Sequence, residues 1–181
     1  MNTAERLREH VILLDHDGRE IGTAPKDSVH GADTSFHLAF SCYVFNDHGQ
    51  VLMTRRALEK KAWPGVWTNS FCGHPLPAEP LTAAVTRRAR FELGLDLAVS
   101  DISVALPLFR YRAMDSAGTV ENELCPVYVA TTTDEPEPNP LEVMEHRWAD
   151  PDTLRSAVRD APWAFSPWLV LQVQELERFR A

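Results

Sequence analysis

The sequence predicts an α/β (α+β) fold, a sandwich in which a mixed sheet lies between helices. Three observations predict it: apolar runs paired across turn residues recur along the first 131 residues, one helical pattern interrupts them, and further helical patterns follow after residue 150. The length of 181 residues, with 44% hydrophobic and 24% charged residues, fits one globular domain spanning residues 1–181. Disordered and fibrous chains are excluded by this composition.

Composition also limits the partners and the compartment. The 18 Lys and Arg against 26 Asp and Glu give a net charge of −8, which argues against nucleic acid as the main partner. A small anionic substrate remains compatible, because screening over about 8 Å lets a few local cations dominate. The apolar stretch Val11–Leu14 is too short for a membrane span or a signal peptide. Three widely spaced cysteines without a CxxC pair predict reduced thiols and a cytoplasmic protein; the oligomeric state is left open.

The first predicted element is a hairpin over Val11–Thr23, in which two short apolar runs flank Asp15–Gly18. Residues 1–24 are expected to form a peripheral unit, with a charged, helix-prone start over Met1–His10. Pro25 ends this pattern because it cannot continue a strand ladder.

Two further hairpins are predicted from longer apolar runs. Phe36–Phe45 and Val51–Thr54 flank a four-residue turn that contains Asn, Asp and Gly. Ile102–Tyr111 and Val120–Thr131 are joined by the turn-rich segment Asp115–Gly118. Each run is interpreted as one continuous strand that pairs with its neighbour.

Helices are predicted in three places. Apolar or small residues recur at helical spacing over Pro80–Leu93, with Gly94 directly after the end. Asp152–Arg159 and Pro167–Phe179 have helical patterns near the C-terminus. Between the last strand and these helices, residues 131–140 are rich in proline and are expected to form a surface loop.

Histidines and carboxylates form the first candidate site. Side chains two apart on a strand share a face, so Glu121 and Glu123 would repel each other unless a positive group lies between them. His30, His37 and His74 fall in or beside loops that could reach this face. Such mixed nitrogen and oxygen ligands suit Mn, Zn, Fe or Mg. Taken singly, each of these residues has an ordinary explanation as an exposed polar side chain.

Cys72 is the second candidate. It follows a segment dense in Trp, Pro and Gly, Trp63–Trp67, where a strand is expected to enter a tight loop that exposes the thiol. There a cation or metal could lower its pKa. The alternative is a small buried hydrophobic residue, and this is the interpretation for Cys42 and Cys125.

The predicted central helix has the register of the Nudix box, which runs Gly, five residues, Glu, seven residues, then Arg-Glu-apolar-x-Glu-Glu-x-Gly-apolar. The residues in register are Gly73, Glu79, Arg87, Glu92, Gly94 and Leu95. Arg88 and Phe91 occupy two positions where the box has Glu, which depletes the carboxylates that hold Mg²⁺ for diphosphate hydrolysis. Four residues apart on the helix, Arg88 and Glu92 are otherwise expected to form a surface ion pair worth about 0.3–0.5 kcal/mol.

Three blocks, residues 63–75, 121–126 and 162–168, closely resemble type I isopentenyl-diphosphate isomerases, a Nudix-fold family. The resemblance extends from about Gly22 to about Gln172. It implies a Nudix-like α/β/α sandwich and an isomerase that interconverts isopentenyl and dimethylallyl diphosphate in isoprenoid biosynthesis. It also implies divalent metals as cofactors and no flavin.

The resemblance further implies roles for individual residues. The catalytic residues would be Cys72 and Glu123, with Tyr111 and Trp168 around the isoprenoid tail. The first metal site, for Mn²⁺, Mg²⁺ or Zn²⁺, would be His30, His37, His74, Glu121 and Glu123. Glu92 and the backbone carbonyl of Cys72 would position a diphosphate-bound Mg²⁺. The diphosphate contacts would be Lys26, Arg56, Lys60 and Arg88.

The chemistry of such a reaction agrees with these residue types. Moving a double bond by one carbon requires one group that adds a proton and one that removes another, and Cys72 and Glu123 come from separate segments. An aromatic face stabilises a carbocation by about 2 kcal/mol or more when desolvated, and Trp168 is the candidate. Trp63, Trp67 and Trp148 are interpreted as core residues. A Nudix-type diphosphate hydrolase and a non-catalytic metal-binding domain remain the alternatives, and which catalytic group protonates the alkene stays open.

Overall fold

The computed structural model describes residues 10–179, so the predicted character of the first nine residues lies outside it. The strands are β1 (His10–Leu14), β2 (Glu20–Pro25), β3 (His37–Leu38), β4 (Phe40–Phe45), β5 (Val51–Arg56), β6 (Trp67–Thr68), β7 (Phe71–Gly73), β8 (Ile102–Leu106), β9 (Arg110–Met114), β10 (Val120–Leu124), β11 (Val127–Thr131) and β12 (Val143–Ala149). The helices are α1 (Lys26–Val29), α2 (Leu81–Leu93), α3 (Pro151–Asp160) and α4 (Pro167–Glu175), with 3₁₀ turns at Val99–Asp101, Pro162–Ala164 and Glu177–Phe179.

The strands form two sheets. The smaller sheet has the order β2-β1-β3-β10-β9 and the larger one β12-β5-β4-β11-β8, with β6 added beside β5 and β7 beside β4. Each sheet contains one parallel pair, β3 with β10 and β4 with β11, while its other pairs are antiparallel. Both sheets are therefore mixed, whereas the sequence predicts a single mixed sheet.

Helices cover both faces of the larger sheet. Alternate residues of β4, Phe40, Cys42 and Val44, pack with α2 in one core cluster. Tyr43 and Phe45 point the other way, into a second cluster with α3 and α4. All six residues of β4 are buried, because a strand covered on both faces has no solvated side. The predicted α/β/α sandwich is confirmed.

Several side chains assigned to the core are where the sequence places them. Cys42 and Cys125 are buried, as expected. Trp63 and Trp67 are partly buried against the cluster that contains α3 and α4, and Trp148 against the one that contains α2. Within residues 10–179, no helix combines the length and the apolar character needed to cross a membrane.

The first predicted hairpin is confirmed, with β1 and β2 antiparallel. The second is confirmed only near its turn, where Phe45 pairs with Val51. Beyond that pair the two strands diverge, because β7 pairs with β4 and β6 pairs with β5. The prediction of one strand over Phe36–Phe45 is wrong, since β3 belongs to the smaller sheet and β4 to the larger.

The third hairpin also needs correction. Ile102–Tyr111 divides into β8 and β9, and Val120–Thr131 divides into β10 and β11. The two segments do pair with each other, but β9 pairs with β10 in the smaller sheet and β8 with β11 in the larger. Pro107 and Pro126 lie at the two interruptions, where a residue without an N–H cannot extend a ladder.

The helices agree closely with the patterns that predict them. Over Pro80–Leu93 the pattern becomes α2, and Gly94 ends it in the left-handed conformation with φ of 68°. Helix α3 extends one residue beyond Asp152–Arg159 at each end, and the Pro167–Phe179 pattern ends as an α-helix at Glu175. Strand β12 and the single-turn helix α1 are not predicted by the sequence patterns.

Gly94 provides a stability test. A Cβ at this position would lie 3.0 Å from the carbonyl oxygen of Glu137, in addition to the positive φ. Gly49 has a similar φ of 75° with open space around a Cβ, so it is a matched control. We expect Gly94→Ala to lower the free energy of unfolding by about 2 kcal/mol and Gly49→Ala by about 1 kcal/mol, measured by urea denaturation. Equal losses would show that the Glu137 contact adds nothing.

Candidate active site

The candidate site is a cavity of about 230 Å³ between the two sheets. Residues from both sheets, from α1, α2 and α4, and from the segment before β12 line it. Every site residue predicted from the sequence lines this cavity, apart from His37 and Glu92. The fold thus brings together side chains that are up to 142 residues apart, since Lys26 and Trp168 both face the cavity.

The histidine cluster is built by pairing between strands. In the smaller sheet His37 of β3 lies beside Glu123 of β10 in parallel register. His74 follows the last residue of β7, and His30 follows α1. His30, His37, His74 and Glu123 each place one ligand atom within 4.8 Å of the others. The sequence interpretation that imidazoles converge on the strand face of Glu123 agrees with this geometry.

The interatomic distances fit a single metal ion. The Nε2 atoms of His37 and His74 are 3.2 Å apart, and Glu123 Oε1 lies 3.4 Å from the first and 3.2 Å from the second. Nitrogen ligands at about 2.0–2.1 Å from one ion are about 3.0–3.4 Å from each other. These three residues, together with His30, could therefore hold a divalent metal.

Hydrogen bonds behind the rings orient them toward this point. His37 Nδ1 is 2.8 Å from the Ser35 carbonyl oxygen and His30 Nδ1 is 3.2 Å from that of Lys26. A nitrogen that donates to a carbonyl leaves the opposite ring nitrogen of a neutral imidazole with its lone pair. His30 Nε2 lies 3.0 Å from Glu121 Oε2, yet both atoms are buried without a hydrogen bond. Two such orphaned lone pairs are what a shared cation would satisfy.

Electrostatics distinguish the two carboxylates. Burial and the neighbouring charge of Glu123 raise the pKa of Glu121. Burial alone would also raise the pKa of Glu123, but the adjacent His37 and His74 rings lower it well below its ordinary value. Burial lowers the pKa of His74 well below its ordinary value, which keeps that ring neutral and able to bind a metal.

Cys72 lies in β7, and its thiol is in a different environment from the one expected. It is partly buried, with Sγ 3.4 Å from Ser41 Oγ and 3.3 Å from Asn69 Oδ1. Burial raises the pKa of Cys72 to about 11, although Ser41, Asn69 and the charge of Arg56 act in the opposite direction. The prediction of an exposed thiol with a lowered pKa is wrong, because burial of the sulfur outweighs the charge of Arg56.

An aromatic wall adjoins Cys72. The buried Trp168 ring of α4 lies 5.7 Å from Tyr111 and 5.5 Å from Trp63, measured between ring centroids. The Arg56 guanidinium is 5.4 Å from the Trp168 centroid. Burial raises the pKa of Tyr111 well above its ordinary value, so its hydroxyl stays protonated. The faces of these rings offer a π surface for a cation.

Five cationic side chains line the cavity: Lys26, Arg56, Lys60, Lys61 and Arg88. Arg56 donates to the carbonyl oxygens of Ala62 and Trp63, which fixes its guanidinium. The buried carboxylate of Glu142 pairs with Lys60 and lies 3.5 Å from Arg88. The cationic lining can bind a small polyanion.

The Nudix-box register has a structural counterpart. Arg87 binds Glu79 through two hydrogen bonds of 2.8 and 2.7 Å and donates to the His74 carbonyl at 3.1 Å. These contacts hold the β7–α2 loop and with it His74. Arg88 and Glu92 form the predicted ion pair, but both are buried, which corrects the expectation of a surface pair.

Glu92 lies apart from the histidine cluster. Nε and Nη2 of Arg88 both donate to Glu92 Oε1, so these hydrogen bonds use one of its two carboxylate oxygens. Behind the helix end, the backbone N–H of Asn139 donates to the Glu92 carbonyl at 2.9 Å. Glu92 is therefore paired with Arg88, one of the cations that line the cavity.

Sequence reasoning missed two residues of the site. Glu142 follows the proline-rich segment and belongs to no motif, so no sequence signal points to it. Asn69 lies within the Trp-rich block and is completely buried, yet the block by itself assigns it no contact. Both are found only through contacts over long sequence distances.

Comparisons with known proteins agree with this geometry. The NUDIX domain family model matches residues 35–169. An isopentenyl-diphosphate Delta-isomerase of Agromyces mediolanus is 66% identical over 168 residues, covering 93% of this chain and 81% of that protein. The protein of the same name from Klebsiella pneumoniae subsp. pneumoniae is 54% identical over 173 residues, covering 96% and 93%.

Solved structures support the fold. A Deinococcus radiodurans protein superposes with a TM-score of 0.71 at 20% identity, covering 93% of this chain and 99% of that one. A MutT NUDIX hydrolase from Burkholderia pseudomallei superposes with a TM-score of 0.57 at 22% identity, covering 78% and 98%. At such low identity these similarities concern the fold alone.

The histidine cluster predicts metal binding. Chelator-treated protein should take up about one equivalent of Mn²⁺ or Zn²⁺, and His37→Asn should weaken the affinity by about 10–100-fold or more, measured by isothermal titration calorimetry. The matched control is His48→Asn, which changes an exposed imidazole and should leave the affinity unchanged. Equal affinity in the two variants would contradict a metal site at His37.

Glu142 predicts a pH dependence of stability. Burial would raise its pKa, but Lys60 and Arg88 outweigh burial and lower it to about 2. Because the folded-state pKa lies below the ordinary value of 4.5, its contribution is present above pH 4.5 and is lost as the pH falls toward 2.

Glu142→Gln should therefore lower the free energy of unfolding by about 1–3 kcal/mol at pH 7, measured by urea denaturation. Between pH 4.5 and 2 the variant should lose less of this free energy than the wild type does. Glu175→Gln removes an exposed carboxylate of α4 and is the control. A Glu142→Gln curve parallel to that of the wild type would refute the assignment.

Proposed function

The chain belongs to the isopentenyl-diphosphate Delta-isomerases within the NUDIX domain family, and we propose that the cavity between its two sheets is where isopentenyl and dimethylallyl diphosphate are interconverted. One observation carries the proposal: Cys72 belongs to the larger sheet and Glu123 to the smaller, and both line the cavity together with Trp168. Two proton-transfer groups thus come from opposing layers, with an aromatic surface beside them.

The reaction adds a proton to the terminal methylene carbon of the alkene and removes one from the methylene on the other side of the branched carbon. The double bond moves by one position, and no proton is gained or lost overall. In our proposal Cys72 and Glu123 perform these two transfers, one as acid and the other as base. The raised pKa of Cys72 supports a role as a protonated thiol that is a proton donor.

Positive charge develops on the branched carbon between the two transfers. The π face of Trp168 and the neighbouring Tyr111 ring are proposed to stabilise this charge. Both side chains are buried, so they also exclude water, which would otherwise trap the cation as an alcohol. The shielded cavity therefore favours return to an alkene.

Lys26, Arg56, Lys60 and Arg88 are proposed to bind the diphosphate and so fix the alkene relative to Cys72 and Glu123. The backbone carbonyl oxygens that hold Arg56 preorganise this contact. For Glu92, whose Oε1 binds Arg88, we propose that it and the Cys72 carbonyl position a diphosphate-bound Mg²⁺ that neutralises phosphate charge.

His30, His37, His74, Glu121 and Glu123 are proposed to hold Mn²⁺, Zn²⁺ or Mg²⁺. When bound, such an ion supplies fixed positive charge that lowers the proton affinity of Glu123. The hydrogen bonds of His30 and His37 to backbone carbonyls support this ligand set. Free cysteines and a small-molecule substrate support the further proposal of a cytoplasmic enzyme.

The Nudix-type hydrolase fits less well. Arg88 and Phe91 stand at two carboxylate positions of the box, and Arg88 neutralises the remaining acid, Glu92. The cavity also presents a thiol and a buried Trp face, which have no evident use in diphosphate hydrolysis. Release of phosphate from the substrate would favour the hydrolase.

The test is isomerisation in deuterated water. Purified protein with Mg²⁺ should convert isopentenyl diphosphate into deuterium-labelled dimethylallyl diphosphate, detected by mass spectrometry, without phosphate release. Cys72→Ala and Glu123→Gln should each lower kcat by about 100-fold or more. Cys42→Ala, which removes a buried thiol that packs with α2, is the matched control and should retain turnover. The absence of product and of isotope exchange in the wild type would exclude the isomerase.

A further inference from the structure

We propose that Asn69 is the positioning residue that holds the Trp168 ring and the Cys72 thiol in their mutual arrangement. The inference rests on the proposed function of the cavity. Asn69 itself is completely buried and does not line the cavity, so it acts through the two residues that do.

The carboxamide of Asn69 uses both of its ends. Its Oδ1 accepts hydrogen bonds from Trp168 Nε1 at 2.9 Å, from Thr68 Oγ1 at 2.9 Å and from Cys72 Sγ at 3.3 Å. Its Nδ2 donates to the carbonyl oxygens of Cys42 at 3.0 Å and Phe71 at 2.7 Å. A flipped amide would point N–H groups at the Trp168 indole, which can only donate, and its oxygen at two carbonyl oxygens, so a single orientation is favoured.

This orientation fixes the Trp168 ring. The indole has one polar atom, Nε1, and rotation of the ring would leave that buried N–H without its acceptor. The start of α4 is tied to the same segment, since Ser166 Oγ lies 2.8 Å from Thr68 Oγ1 and Ser166 N donates to the Trp67 carbonyl at 2.9 Å. Hydrogen bonds to residues 67–69 therefore hold both the start of α4 and the Trp168 ring in position.

The sulfur of Cys72 is held from the opposite side by the same helix. Gln172, one turn after Trp168, donates through Nε2 to Ser41 Oγ at 3.0 Å and accepts from Tyr43 Oη at 2.9 Å. Because Ser41 accepts from Gln172, its own hydroxyl hydrogen is available for a sulfur, either Cys72 at 3.4 Å or Cys125 at 3.3 Å. Cys72 thus lies between the Ser41 hydroxyl and its acceptor, Asn69 Oδ1.

The consequence concerns the spacing of the reacting groups. The Cys72 thiol and the Trp168 ring come from β7 and α4, which are almost a hundred residues apart, and both contact Asn69 Oδ1. A misplacement of about 1 Å at a reacting centre costs about 100-fold in rate. The diphosphate contacts do not involve Asn69, so substrate affinity should change little.

The test compares Asn69→Ala, Asn69→Asp and, as a control, Ser70→Ala. Ser70 is also buried and bridges Leu52 and Val44 backbone atoms, without a contact to Cys72 or Trp168 among its hydrogen bonds. We expect Asn69→Ala to lower kcat for isopentenyl diphosphate by about 100-fold with KM within about threefold. Asn69→Asp keeps Oδ1 but loses both Nδ2 donations, so it should be less stable than Asn69→Ala yet retain more of kcat. Ser70→Ala should lower the melting temperature and leave kcat unchanged.

An indole ¹H–¹⁵N spectrum adds a readout that is independent of turnover. The Nε1 signal of Trp168, assigned with Trp168→Phe, should shift in Asn69→Ala and persist in Asn69→Asp. Trp168→Phe should reproduce part of the kcat loss, and Asn69→Ala should cost less in that background. A folded Asn69→Ala with wild-type kcat would overturn the inference, as would equal kcat losses in Asn69→Ala and Ser70→Ala. If Asn69→Ala does not fold, a lower kcat in Asn69→Asp than in Trp168→Phe overturns it.

Failure of the proposed function would be recognised separately. In that case the wild type shows no isomerase turnover, while the Trp168 indole signal still reports whether Asn69 holds the ring.

Discussion

The site depends on a seam between the two sheets, where three neighbouring chain segments connect the smaller sheet to the larger one. The segments are β3–β4 and β10–β11, which run from the smaller sheet to the larger, and β8–β9, which runs from the larger to the smaller. Backbone hydrogen bonds of 2.8–3.1 Å hold them together: Ala39 N to Leu124 O, Ser41 N to Pro126 O and Cys125 N to Phe109 O. Because the sheets part here, a cavity opens between them, and residues on either side of the seam face it. The seam is the reason that Glu123, in the smaller sheet, faces the same cavity as Cys72, in the larger sheet.

The sequence predicts local features well and the seam not at all. The helix over Pro80–Leu93 follows from periodicity and from Gly94, because both signals lie within the helix itself. A break between sheets depends on which strands pair on each side. The apolar pattern of a run such as Phe36–Phe45 is the same whether the run forms one strand or is divided between two sheets. The Pro at position 126 is a signal for the break in hindsight, but a proline also fits a strand edge.

The same distinction applies to the site. The motif blocks contain His74 and Glu123 of the histidine cluster, and His30 and His37 lie outside them but within the wider resemblance. The motif blocks do not show the surroundings of each side chain. The thiol of Cys72 contacts Ser41 and Asn69, and Arg88 of the Arg88–Glu92 pair lies beside Glu142. Burial reverses both expectations, because removing water raises the pKa of a thiol and turns a surface ion pair into an internal one. Such effects arise only when distant segments meet.

The carboxylate of Glu142 competes with any anion that binds to Lys60 and Arg88 in this cavity. Lys60 and Arg88 already have an anionic partner, so an arriving ligand exchanges one set of oxygens for another and gains only the difference. A single phosphate offers little advantage over an internal carboxylate, whereas two linked phosphates engage several cations at once. For the proposed diphosphate substrate, selectivity against single small anions would therefore come from competition with Glu142 for Lys60 and Arg88.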